Sequence, residues 1–163
     1  MLEMTWVFSV PSNVPKGSVV RGSAYFAVGT SRYPPGTYRV TGPLWVSFGA
    51  KARNDGGAEG TIWIAVADAD GTVLKVNSGS VGVGDTVDLR GSVYLESGKS
   101  YHFAFYAGHG TPPAQGRTIT SWDDYYGFWV FDTREWGIPL WVWIFVPLGV
   151  AVIAYGLYTL SRR

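Results

Sequence analysis

Apolar and polar positions alternate with a period of two through most of the chain up to residue 137. Val87, Leu89, Val93 and Leu95 alternate with Asp88, Arg90, Ser92 and Tyr94, as in a strand with one face in a core and the other in water. Gly91, inside this run, predicts a bulge or a close backbone approach. Tyr101, Phe103 and Phe105 alternate with His102, Ala104 and Tyr106. The Ser97-Gly98-Lys99 turn between the two runs predicts that they pair as a hairpin, with Phe103 in the core.

Further strands are predicted over Thr5–Val10, Ser18–Val28, Thr37–Val40, Leu44–Ala50, Thr61–Asp68, Thr72–Val76, Arg117–Ser121 and Tyr125–Phe131. Turn residues fall between them at Pro34-Pro35-Gly36, Asn54-Asp55-Gly56-Gly57, Asp70-Gly71 and Gly82–Asp85. About ten short strands with no helix to cover a sheet predict an all-β domain over residues 1–135. Its expected form is an antiparallel β-sandwich with jelly-roll or immunoglobulin-like wiring, each sheet covering the other.

The pattern changes at Ile138–Leu160, which carries no charged residue. As a helix this stretch is about 34 Å long, enough to cross a hydrocarbon core of about 30 Å. A single C-terminal transmembrane α-helix is therefore predicted over 136–160, followed by a short basic tail, 161–163. Trp136, Trp141 and Trp143 at one end and Tyr155 and Tyr158 at the other suit the two interfacial aromatic belts, and the interior Pro147 predicts a kink or a packed site.

Arg162 and Arg163 follow the span, whereas Asp123, Asp124, Asp132 and Glu135 precede it with Arg134 alone to offset them. The positive-inside rule places the C-terminus in the cytoplasm and the N-terminal domain outside, in a cell envelope or a viral envelope or capsid-associated membrane. The start, MLEMTWVFSV, has no basic n-region, long apolar core or small-residue cleavage site. A removed signal peptide, or a tail anchor with a cytosolic domain, are the two ways to reconcile this. The segment from Ser121 to Trp143 is aromatic rather than rich in Gly, Ser or Pro, so the domain is expected close to the bilayer lipid rather than on a flexible stalk.

Charge and composition narrow the chemistry. A net charge of +1 leaves no field to gather nucleic acid, and with no cysteine there are no disulfides, thiolate metal sites or thiol nucleophiles. His102 is expected on a strand face away from the phenylalanines, and His109 in a glycine-flanked loop. Ser121, His109 and Asp123 form a hydrolytic set on paper, without the turn that exposes a nucleophile. Asp68-Ala69-Asp70-Gly71 reads as a hairpin turn; as a calcium loop it lacks the later ligands. No catalytic group, metal or cofactor is therefore expected.

Aromatic residues make up 16% of the chain and charged residues 15%. The alternation puts Val46 and Phe48 inside and Trp45 on the other face; Ile62, Ile64 and Val66 inside and Trp63 on the other. Trp45, Trp63, Tyr94 and Tyr106 are thus the candidate binding surface, with Tyr33, Tyr125 and Tyr126 in support. The expected role is that of a non-enzymatic structural or assembly protein packing against copies of itself or other subunits of a membrane assembly. The alternative is a membrane-anchored module binding carbohydrate or another ligand.

Overall fold

The computed structural model describes residues 13–135, all of them in one two-sheet β-domain. The predicted strand Thr5–Val10, the predicted span, and the anchor residues Trp136, Trp141, Trp143, Pro147, Tyr155, Tyr158, Arg162 and Arg163 lie outside the described residues. Among those described, no helix is long and apolar enough to cross a membrane.

The strands are β1 (Gly17–Val19), β2 (Tyr25–Val28), β3 (Ser31–Tyr33), β4 (Gly36–Arg39), β5 (Leu44–Asn54), β6 (Gly60–Ala67), β7 (Val73–Val81), β8 (Thr86–Leu95), β9 (Ser100–His109) and β10 (Asp124–Asp132). The first sheet is built on β5, which pairs with β8 along one edge and with β1 and β2 along the other, β3 adding to β2. The second has the order β4-β10-β9-β6-β7. All pairs are antiparallel except β4 with β10, which run parallel, so the sandwich is mixed rather than purely antiparallel.

The inner rows are those that the alternation assigned. Val46, Phe48 and Ala50 of β5, Val87 and Leu89 of β8, Ile62, Ile64 and Val66 of β6, and Phe103 and Phe105 of β9 are buried in one core. Phe26 is fully buried at its centre, with the rings of Phe48, Phe103, Phe105, Trp129 and Phe131 at centroid distances of 5.1–5.8 Å. These rings interlock as tilted or offset pairs, the arrangement that aromatic quadrupoles favour. Gly91 makes a close approach rather than a bulge: its pairing with Phe48 of β5 is unbroken, and a Cβ there would lie 2.7 Å from the Phe48 ring.

Several connections differ from the local reading. β8 and β9 do not pair; β8 joins β5 in the first sheet and β9 joins β6 and β10 in the second, so Glu96–Lys99 crosses between sheets. This corner is held by Tyr101, whose hydroxyl accepts the Glu96 N–H at 2.9 Å, and by Thr133, whose hydroxyl donates to the Glu96 carbonyl at 2.5 Å. Ser18–Val28 is broken by a 3-10 turn at Arg21–Ser23, and Arg117–Ser121 forms a covering loop with a single bridge, Thr72 to Thr118.

The edges of β7 and β8 meet on one side of the sandwich. Their register turns Lys75 and Asn77 of β7 inward, and the Asn77 side-chain amide donates to the Asp88 carbonyl at 2.6 Å. Inward polar groups on an edge strand disfavour runaway strand pairing.

Candidate functional site

Two aromatic surfaces lie on the outer faces, one on each sheet. On the first, Trp45 and Tyr94 are register partners across β5 and β8, their ring centroids 5.3 Å apart. Trp45 is 64% exposed and Tyr94 46% exposed. Below them the outer rows carry small and charged groups, among them Ser47, Ser92, Lys51, Arg53 and Arg90.

Trp63 corrects the expectation. It does point away from the core, yet only 3% of it is exposed. Its ring lies across the backbone of Gly108, its register partner on β9, where a Cβ would collide with it. The loop 110–123 then folds over β6 and β7 as a partial third layer. Val73 donates its N–H to the Arg117 carbonyl at 2.9 Å and Ile119 donates to the Gly71 carbonyl at 3.0 Å. Trp63, Ala65, Ala67, Val73 and Ile119 form a second apolar cluster beneath this loop, so Trp63 is a packing residue.

The loop leaves the β9–β10 half of the second sheet open. Here stand Trp122, Tyr125 and Phe128, with exposures of 49%, 59% and 56%. Tyr106 packs between neighbours, 5.4 Å from the Trp122 ring and 6.1 Å from Tyr125, and His102 lies edge-on to Phe128 at 5.4 Å. Burial, then the neighbouring Tyr125 and Asp68, push the Tyr106 hydroxyl above the ordinary tyrosine range. Phe128 reaches this face because Gly127 is an extra residue: the register of β10 slips between Tyr126 and Trp129, and Gly127 has φ +83°, accessible to glycine at low cost. Neither Trp122 nor Phe128 was picked out as a surface residue by the alternation, since one follows a loop and the other a bulge.

The titratable pair at the far end of the sandwich is structural. His109 Nδ1 lies 2.7 Å from Asp123 Oδ2, and the same oxygen accepts the Gly17 N–H at 2.9 Å, while Asp124 Oδ2 accepts the Val19 N–H at 2.9 Å. The two carboxylates thus clasp β1 across the sheet edge. Ser121 lines the same shallow recess as His109, but no hydrogen bond joins the two among the described residues. Asp68 accepts the N–H groups of Asp70 and Thr72, both at 2.9 Å, and Gly71 has φ +77°; this is a carboxylate-capped hairpin turn. Among the described residues no three His, Cys, Asp or Glu groups are placed to hold a metal.

At the opposite end, where the chain leaves the sandwich, Thr133 is held by backbone bonds with Gly98 at 3.1 Å and Lys99 at 2.8 Å. The Arg134 guanidinium grips the Asp132 carboxylate at 2.7 and 2.8 Å. The chain is therefore fixed up to this point, and a cleft beside it is lined by Arg39, Thr41, Ser97 and Glu135 among others.

No protein-family model matches the chain, and no curated protein matches it by sequence. Several solved structures are similar in shape, two of them as follows. One is the CARDB domain of a Pyrococcus furiosus protein in complex with di-metal ions, with a TM-score of 0.42 and 11% identity over 82% of this chain and 100% of that one. The other is a Bacteroides fragilis protein assigned as a β-galactosidase, with a TM-score of 0.40 and 11% identity over 75% of this chain and 18% of that one.

Proposed function

We propose that this chain is a non-enzymatic assembly protein, held in a membrane by its uncharged C-terminal stretch and associating through the open β9–β10 face with a second copy of itself. The observation that carries the reading is the row Trp122, Tyr125 and Phe128, three large rings 49–59% exposed on one half-face while the other half is covered by its own loop. Exposed aromatic clusters of this kind are the usual anchors of protein interfaces.

Anchoring in a membrane favours a copy as the occupant. Two copies related by an axis normal to the bilayer keep the same height, so each ring of the row meets its own counterpart. The wiring is read as immunoglobulin-like rather than jelly-roll. β5 and β8 lie in one sheet, β6, β9 and β10 in the other, and Tyr101 bonds back to the corner that precedes β9 as in a tyrosine corner.

The experiment uses the absence of native cysteine. Tyr125→Cys in the full chain, oxidised in membranes, should give a disulfide-linked dimer, while Thr86→Cys on the other face should not. Equal crosslinking at both positions, or none at 125, would refute the face. A second reading, a carbohydrate-binding module, rests on the paired Trp45 and Tyr94. Saturable glycan binding lost in Trp45→Ala would favour it over assembly.

A further inference from the structure

The outer face of the first sheet has features that the assembly reading does not use. Its exposed rings, Trp45 and Tyr94, stand at the end of the sandwich where the chain exits. Tyr94 is two residues before Glu96, whose carbonyl accepts the Thr133 hydroxyl at 2.5 Å; at about 3.3 Å per residue, the ring pair lies within about 7 Å of the level at which Thr133 is fixed. Only residues 134–137 separate Thr133 from the uncharged stretch beginning at Ile138.

Charge on this face is also one-sided. The outward positions on its strands include Arg32, Lys51, Arg53 and Arg90, against Asp88 alone. Asp88 is 3.8 Å from Lys51. Arg53 is paired with Asp55 in the following turn at 2.6 Å, and Arg32 stacks over Tyr25 at 4.2 Å. Asp68, Asp70, Asp123 and Asp124 belong to the second sheet and the connections at its strand ends.

We infer that the exit end of this face leans on the bilayer, with Trp45 and Tyr94 at headgroup depth, Arg32 near their level and Arg90 higher on the same face directed toward anionic lipid. This deepens the membrane-held reading above and rests on it. The lean is slight, so the β9–β10 face still stands along the axis between the two copies. An indole and a phenol, each with an apolar body and a polar tip, are the side chains that settle at a membrane–water interface, and cations beside them add attraction to an anionic leaflet. Their place beside the exit leaves a short lever: a small tilt of the domain seats both rings without lengthening the connection. A sugar platform needs open space above the rings, which is scarcest at this end. The β9–β10 face is left free for the second copy.

The test compares two exposed positions at similar height on opposite faces. Ser92→Cys lies on the β8 outer row beside the rings, and Thr37→Cys lies on β4, opposite Val130 of β10. Each full-length variant carries an environment-sensitive fluorophore in vesicles containing anionic phosphatidylserine, with Val150→Cys as a label within the uncharged stretch. The label at 92 should lose intensity to a headgroup-depth quencher and be shielded from aqueous iodide. The label at 37 should escape the headgroup-depth quencher, and adding Trp45→Ser with Tyr94→Ser should return the label at 92 to water. Equal quenching at 92 and 37, with the label at 150 quenched by an acyl-chain quencher, would overturn the leaning domain while leaving the anchor in place. No acyl-chain quenching at 150 would overturn the anchor and, with it, this inference.

Discussion

Replacing Phe26 by alanine tests the packing on which both outer faces depend. Its ring is fully buried and contacts rings from both sheets, with Phe48 on one side and Phe103, Phe105, Trp129 and Phe131 on the other. Truncating a buried phenylalanine removes its transfer free energy and leaves a cavity, together about 3–5 kcal/mol. The surrounding rings come from three strands, β5, β9 and β10, with fixed register, so they have little freedom to collapse inward. A loss of about 4 kcal/mol is therefore expected, a large part of the roughly 5–15 kcal/mol that such a domain has in total. Urea unfolding of residues 13–135, followed by tryptophan emission, reads the effect. With a slope of about 1.5 kcal/mol per molar urea, the midpoint should fall by about 2.7 M at unchanged slope. A fall equivalent to less than about 1 kcal/mol would show that the two sheets do not close over Phe26, and the assignment of inner and outer rows would fail with it.

Other expectations follow from single features. Gly127→Ala should destabilise the domain by about 1–3 kcal/mol or more, because its positive φ disfavours a side chain and the new Cβ would strike the Trp129 ring; thermal melting checks this, and an unchanged midpoint would refute the bulge. The folded domain holds the Tyr106 hydroxyl above its ordinary value through burial and then Tyr125 and Asp68. That contribution is fully present below about pH 10, the unfolded tyrosine value, and is lost as pH rises through the folded one. Tyr106→Phe should therefore flatten the alkaline decline in stability, and a slope identical to that of the parent protein would contradict the assignment.

Along strands with an unbroken period, which face a residue occupies was legible from the chain alone; Tyr33 and Tyr126, expected in support of the surface, instead pack against the core. Val46 against Trp45, Ile64 against Trp63 and Phe103 against His102 all follow from the two-residue period, because backbone pleat sets it locally. What lies over a face is not local. Trp63 and Trp45 have the same pattern, yet Trp63 is covered by a loop some fifty residues later in the chain and Trp45 is not. The same limit explains the supposed hairpin at Ser97–Lys99: a short turn with a glycine serves equally to pair two strands or to pass from one sheet to the other, and Tyr101 and Thr133 decide it by bonding to Glu96.

Phe128 was hidden for a different reason. Gly127 shifts the alternation by one, so the run Tyr125–Phe131 read with a single period assigns its two halves to inconsistent faces. Trp122, set by proximity in sequence near the membrane, lies at the far end of β10 beside Asp123, whose N–H bonds to Ala107 at 2.8 Å.

The proposed association through the open β9–β10 face is tested most directly by the stoichiometry of the full chain in lipid nanodiscs, counted by stepwise photobleaching of a single label. The parent protein should show two steps. The triple variant Trp122→Ser, Tyr125→Ser and Phe128→Ser should show one while keeping its far-ultraviolet circular dichroism and thermal midpoint, since these rings are largely exposed. Two steps persisting in the triple variant, or one step in the parent protein, would contradict the account.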